Sequence, residues 1–133
     1  MKSKTVIGVV VALVVVALVV VGVVLPRKPS GQEGSYTIGV NQFATHPLLD
    51  AVYRGLIDGL AESGISEETG SKIIFKNANG DQNVAFQINK QFADQEVGMI
   101  IPIATPPSQS ACKVTETIPI VFAAITDPVK AGI

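Results

Sequence analysis

Two short apolar runs near the C-terminus close in the same way. Val97–Ala104 (VGMIIPIA) stops at Thr105-Pro106-Pro107-Ser108-Gln109, and Ile118–Ile125 (IPIVFAAI) stops at Thr126-Asp127-Pro128. Short β-rich apolar runs bounded by small polar residues and proline read as strands buried on both faces, the mark of a parallel sheet. Parallel strands cannot be joined by tight hairpins, so the chain between them must supply crossover helices. Ligands in an open α/β sheet sit just beyond the carboxyl ends of the strands. The hydroxyls, amide and carboxylate that close these two runs are therefore the first candidates for a binding site.

The rest of the chain alternates as this requires. Tyr36–Val40 is a strand candidate, followed by a polar connection over Asn41–His46. Pro47 suits the first turn of a helix, with Thr45 or His46 as its cap. Leu48, Leu49, Val52, Leu56, Ile57 and Leu60 recur at helical spacing, with Tyr53 beside them, and Gly64 suits a left-handed end to that helix. Lys72–Asn77 reads as a second strand and Ala78–Asp81 as a turn. Val84–Asp94 reads as a helix capped by Asp81 or Asn83, with Val84 and Ile88, extended by Phe92, on one face. Ser108–Thr115 reads as a short third helix, with Cys112 as a small buried residue. The expected order is β-α-β-α-β-α-β: an α/β fold with a parallel sheet and helices on both faces. Right-handed crossovers then bring all the carboxyl ends to one edge.

Thr5–Leu25 (TVIGVVVALVVVALVVVGVVL) is uncharged throughout. At roughly 1.5 Å per residue it spans about 30 Å, the thickness of a bilayer core. It is longer than the apolar part of a cleaved signal and lacks a small-residue cleavage pattern, so residues 1–25 read as a transmembrane or signal-anchor helix. Residues 26–35 read as a linker rich in Pro, Gly and charge, and 36–133 as the folded part. Lys2 and Lys4 bias the N-terminus inward, which places the folded part outside the cytoplasm, in the periplasm or at the cell surface.

Beyond Ser30 there are six Lys/Arg against eleven Asp/Glu, a net charge of −5, so no basic stripe is available for nucleic acid. One cysteine makes neither a disulfide framework nor a cysteine-built metal site. Phosphate-loop, dinucleotide, serine-hydrolase and zinc-protease motifs are absent. His46, the single histidine, has no nucleophile or second carboxylate in an obvious relation to it and is more simply a cap. Binding therefore stands ahead of catalysis, with no cofactor or metal expected. A helix start at Thr105–Gln109 would attract a carboxylate, aided by Thr105, Ser108 and Gln109. Asp127 would hold an ammonium, and Gln42 and Phe43 would reach a flat ligand from the first loop. The plainer readings are a βα turn capped by Ser108, a turn fixed by Asp127, and a loop anchored by Phe43.

Asn41–Ile133 resembles the substrate-binding proteins of ABC importers, specifically the tryptophan/tyrosine (TrpX-like) type. The matching pieces are His46-Pro47-Leu48-Leu49-Asp50, Gly55 through Leu60 with Gly64, Asn79-Gly80-Asp81, Ile103-Ala104-Thr105-Pro106 with Gln109, and Ile118-Pro119-Ile120-Val121-Phe122 leading to Thr126-Asp127-Pro128-Val129 and Ala131-Gly132. The resemblance implies a periplasmic-binding-protein type I fold, in which two lobes close on an aromatic amino acid or related solute and deliver it to a permease and its ATPase. It implies that the first loop, the Thr-Pro turn and the Thr-Asp-Pro turn face the cleft, which favours Gln42, Thr105, Gln109, Thr126 and Asp127 as ligand contacts; Phe43, His46, Pro106 and Ser108 in the same segments are the remaining candidates. Family members are longer, so this chain reads as the N-terminal part of such a protein, ending inside the first lobe. A membrane signalling receptor with a ligand domain of the same fold is the alternative.

Overall fold

A computed structural model describes residues 35–133. The proposed anchor and nearly all of the linker lie outside the described residues. Among the described residues no helix is long and apolar enough to cross a membrane.

Three strands form a parallel sheet: β1 (Thr37–Gln42), β2 (Lys72–Asn77) and β3 (Met99–Ile103). Between and after them run α1 (Pro47–Glu62), a short 3-10 turn at Glu67–Thr69, α2 (Gln82–Asp94) and α3 (Thr105–Val114). The sheet order is β2-β1-β3. The pairing aligns Val40 with Phe75 on one side and with Ile101 on the other.

Strand alternation divides the core into two layers. Ile38, Val40, Ile101 and Ile103 point to the face covered by Leu49, Val52, Tyr53, Leu56 and Leu60 of α1. Ile100 points to the other face, with Ala85, Ile88 and Phe92 of α2 and Ala111 of α3. Helices thus lie on both faces. The inward face of α2 is Ala85, Ile88, Asn89 and Phe92, whereas Val84 is exposed. On α1, Leu48 is 63 % exposed while its apolar neighbours pack inward. Tyr53 stacks on Phe75 at a centroid distance of 4.3 Å, and burial, with Glu67 nearby, pushes its phenol above the usual range. Gly39 sits at the centre of β1 because any side chain there would strike Phe92: a Cβ would lie 2.6 Å from the ring.

β3 is shorter than the run Val97–Ala104 and α2 begins at Gln82, two residues early, but three other differences matter more. The first strand runs on through Asn41 and Gln42, which are 0 % and 1 % exposed and are not a polar connection. The third helix begins at Thr105, three residues early, because Ala104 and the two prolines form its cap and first turn. The expected fourth strand, Ile118–Ile125, lies parallel beside β3 but pairs only through isolated bridges at Ile100–Ile120 and Ile103–Ala123. Pro102 is the reason. Val121 donates to the Ile100 carbonyl and Ala123 to the Pro102 carbonyl, but Pro102 has no N–H to return to Val121. The ladder breaks there, and Ala124 then turns away at φ 56°.

Helix ends agree better with the sequence. His46 caps α1, its Nδ1 accepting from the Leu48 N–H, and Gly64 follows the helix at φ 79°. Asp81 caps α2 by accepting from the Asn83 and Val84 N–H groups. Cys112 is exposed and is not the buried residue expected, because Ala111 occupies the inward position of that short helix.

Candidate functional site

The strand order fixes where a site can form. After β1 the chain turns into α1 on one face, and after β3 it turns into α3 on the other. The two connections diverge between adjacent parallel strands, opening a crevice at their carboxyl ends. Gln42 is level with Ile103 across that junction, and the Phe43 N–H donates to the Ile103 carbonyl at 3.2 Å.

Gln42 forms one side of the crevice. Its Nε2 donates to the Ala44 carbonyl at 2.9 Å and to Oδ1 of Asp50 at 2.7 Å. Both partners can only accept, so the amide orientation is fixed. Its Oε1 is buried and has no partner among the described residues. A buried acceptor left bare costs about 1–3 kcal/mol. Phe43 is half-buried and packs against the α2 side of the core, which anchors the loop. His46 is exposed, with Nδ1 committed to its cap. The Gly80 N–H donates to the Phe43 carbonyl at 2.8 Å and Asn77 to the Thr45 hydroxyl at 3.1 Å, tying this loop to the one after β2.

The opposite side is the turn from β3 into α3. Ala104 has φ 92° and ψ 166°, a region that costs a non-glycine residue about 1–3 kcal/mol. Ser108 holds the turn closed, its hydroxyl donating to the Ala104 carbonyl at 2.8 Å. Pro106 and Pro107 occupy two of the first three helical positions and carry no N–H. The expected anion-attracting helix start is thereby reduced to the Thr105 N–H and hydroxyl. Thr105 and Pro106 are half-buried, whereas Ser108 is fully buried. Gln109 donates to the Ala131 carbonyl at 2.7 Å and so ties the last segment to α3.

A buried polar relay supports that turn from beneath. Asn41 donates to the Ala85 carbonyl at 2.8 Å and to Oδ1 of Asn89 at 3.0 Å. Asn89 in turn donates to the Pro107 carbonyl and to the Ser110 hydroxyl, both at 2.7 Å. One amide chain thus links β1, α2 and the first turn of α3. The Asn41 Oδ1 is left without a partner among the described residues.

Thr126 is exposed beyond the fourth segment. Asp127 is largely used locally: Oδ1 accepts from the Lys130 N–H at 3.0 Å, and Oδ2 lies 3.5 Å from Lys130 Nζ in an exposed pair. The turn-fixing reading of Asp127 is therefore present in the structure. Gln42 and Thr105 stand at the adjacent ends of β1 and β3, Phe43 anchors its loop on the core, and His46, Ser108 and Gln109 spend their polar groups on caps and ties.

Sequence reasoning missed Asp50, Asn41 and Asn89. A signal existed for Asn89, which lies four residues after Ala85 and three before Phe92 on the inward face. Asn41 is hidden by being a polar residue at the end of an apolar strand, where, like the candidate contact Gln42, it reads as part of a loop. Among the described residues no His/Cys/Asp/Glu group is arranged to hold a metal. A groove of about 540 Å³ lies at the other end of the sheet, beside Asp94, Glu96, Thr115 and Glu116. It adjoins the amino ends of β3 and the fourth segment, the edge opposite to the one at which open α/β sheets hold their ligands.

The comparisons with known proteins agree with this architecture. The model of the ABC transporter substrate binding protein family matches residues 37–133. A tyrosine-binding protein of Clostridioides difficile (strain R20291) is 35 % identical over 106 residues, 80 % of this chain and 31 % of that protein. The ligand-free, open structure of a substrate binding protein with adhesive properties from Clostridium difficile superposes with a TM-score of 0.71 at 36 % identity, covering 73 % of this chain and 33 % of that one. An ABC domain from Streptococcus pneumonia in complex with L-Trp gives 0.71 at 40 % identity, over 74 % of this chain and 33 % of that one. The chain thus spans about a third of the length of these relatives. They are binding proteins and not enzymes, as the missing catalytic motifs lead one to expect. The chain belongs to the ABC transporter substrate binding protein family.

Proposed function

We propose that residues 36–133 form one wall of an aromatic amino-acid site, within the first lobe of a two-lobed extracytoplasmic binding protein of the type I kind. The observation that carries this reading is the likeness, at 40 % identity, to a structure bound to L-Trp. The crevice between β1 and β3 would face the second lobe, which the longer relatives have the length to supply. Gln42, Phe43, Thr105 and Pro106 would line its centre, with His46, Ser108, Gln109, Thr126 and Asp127 around it. Dipoles and hydrogen bonds would hold the amino-acid head group and apolar side chains the ring. Closure of the lobes would present the ligand to a permease and its ATPase. Residues 1–25 would tether the binder to the membrane by one helix.

A single wall makes a weak site. Calorimetric titration of the 133-residue chain with L-tryptophan and L-tyrosine is expected to give dissociation constants well above micromolar. Micromolar or tighter binding would show that no second lobe is needed. Absence of any binding at millimolar ligand would contradict the assignment to aromatic amino acids.

A further inference from the structure

The crevice holds a carboxylate with one free oxygen. Asp50 lies in the first turn of α1 and is half-buried. Its Oδ1 accepts from Gln42 at 2.7 Å. Its Oδ2 has no hydrogen-bond or ion-pair partner among the described residues, and Arg54, one turn along the helix, forms no ion pair with it. Beneath it Gln42 is 1 % exposed, with Nε2 committed and Oε1 bare. The other carboxylates of this edge lack this setting: Asp81 is exposed and caps α2 through Oδ1, its Oδ2 beside no buried amide, and Asp127 is paired with Lys130.

A fixed carboxylate with one oxygen free, set beside a buried acceptor that lacks a donor, is the complement of a group rich in donors and positive in charge. A primary ammonium is such a group. We propose that Asp50, oriented by Gln42, receives the α-ammonium of the bound amino acid, in place of the Asp127 carboxylate that spacing alone suggested. The inference rests on the amino-acid reading above. A first-turn acid serving only the helix dipole would need neither the buried amide nor its fixed orientation.

Indole-3-propionate keeps the ring and carboxylate of L-tryptophan and lacks the ammonium, which makes it the discriminating probe. Titrated into the full chain and followed by the Gln42 side-chain amide resonance, L-tryptophan is expected to bind about tenfold or more tighter than indole-3-propionate. Asp50→Asn keeps an acceptor for Gln42 and removes the charge. It is expected to abolish that preference. Asp50→Glu is expected to keep part of the preference, and serves as the test if Asp50→Asn does not fold. Asp127→Asn, at the competing carboxylate, is expected to lower it less than Asp50→Asn does. A preference that survives Asp50→Asn, is undiminished in Asp50→Glu, or falls further in Asp127→Asn than in Asp50→Asn overturns the inference and leaves the amino-acid reading standing. If the wild-type chain binds neither compound, both fall.

Discussion

Phe92→Ala is expected to cost about 3–5 kcal/mol of unfolding free energy, measured by urea denaturation followed by circular dichroism. For a small domain with a total of about 5–15 kcal/mol, a loss of that size leaves much of the protein unfolded. The ring is fully buried and lies directly over Gly39. Nothing on the strand can move into the void, because the residue below it has no side chain. This contact makes a second, sharper expectation. Gly39→Ala alone should destabilise by about 1–3 kcal/mol, since its methyl would meet the ring. In the Phe92→Ala background the same methyl enters empty space and should be neutral or stabilising. Equal effects in the two backgrounds would mean that the ring does not sit on Gly39.

Asn89→Leu is the second large loss. Asn89 donates to the Pro107 carbonyl and the Ser110 hydroxyl, and accepts from Asn41. Leucine fills the volume but breaks all three bonds; Ser110 and Pro107 keep their bond to each other and Asn41 keeps the Ala85 carbonyl, so the cost, about 1–3 kcal/mol, falls on the second Asn41 N–H. Asn41 suffers most, because its Oδ1 is already bare. Replacing both ends by apolar residues, Asn41→Val with Asn89→Leu, should recover much of the loss, since removing both partners is far cheaper than stranding one. Thermal melts of the two single variants and the double variant measure this coupling. Strict additivity would show that the two amides act independently. The relay ends on the first turn of α3, so it links core packing to the geometry of the crevice wall.

The parts of this fold legible from the sequence are those set by local chemistry. Lys72–Asn77 is bounded as expected, and His46, Asp81 and Gly64 mark helix ends by capping geometry that needs no tertiary context. The family was legible through order and spacing of short motifs. What escaped the sequence depended on partners far away in the chain. Asn41 and Gln42 look like loop residues until Asn89 and Asp50 give their amides somewhere to bond inside the fold. Pro102 looks like an ordinary interruption of an apolar run. Its effect appears only once the neighbouring segment needs its missing N–H. Pro106 and Pro107 were read as the turn before a helix, but they lie in its first turn and remove the donors that an anion site there would use. Asp127 fits the edge by position, yet Lys130, three residues on, takes up its carboxylate. Asp50 was hidden among helical residues, although it is the acid of this edge that a buried amide holds.

The central claim is that the ligand sits where β1 and β3 end. Backbone amide shifts of the isotopically labelled chain, recorded as L-tryptophan is added, test it most directly. The account predicts shifts confined to Gln42–Asp50, Ala104–Gln109 and Thr126–Asp127. Shifts confined to the acidic groove around Glu96, Thr115 and Glu116 at the opposite end of the sheet would contradict it.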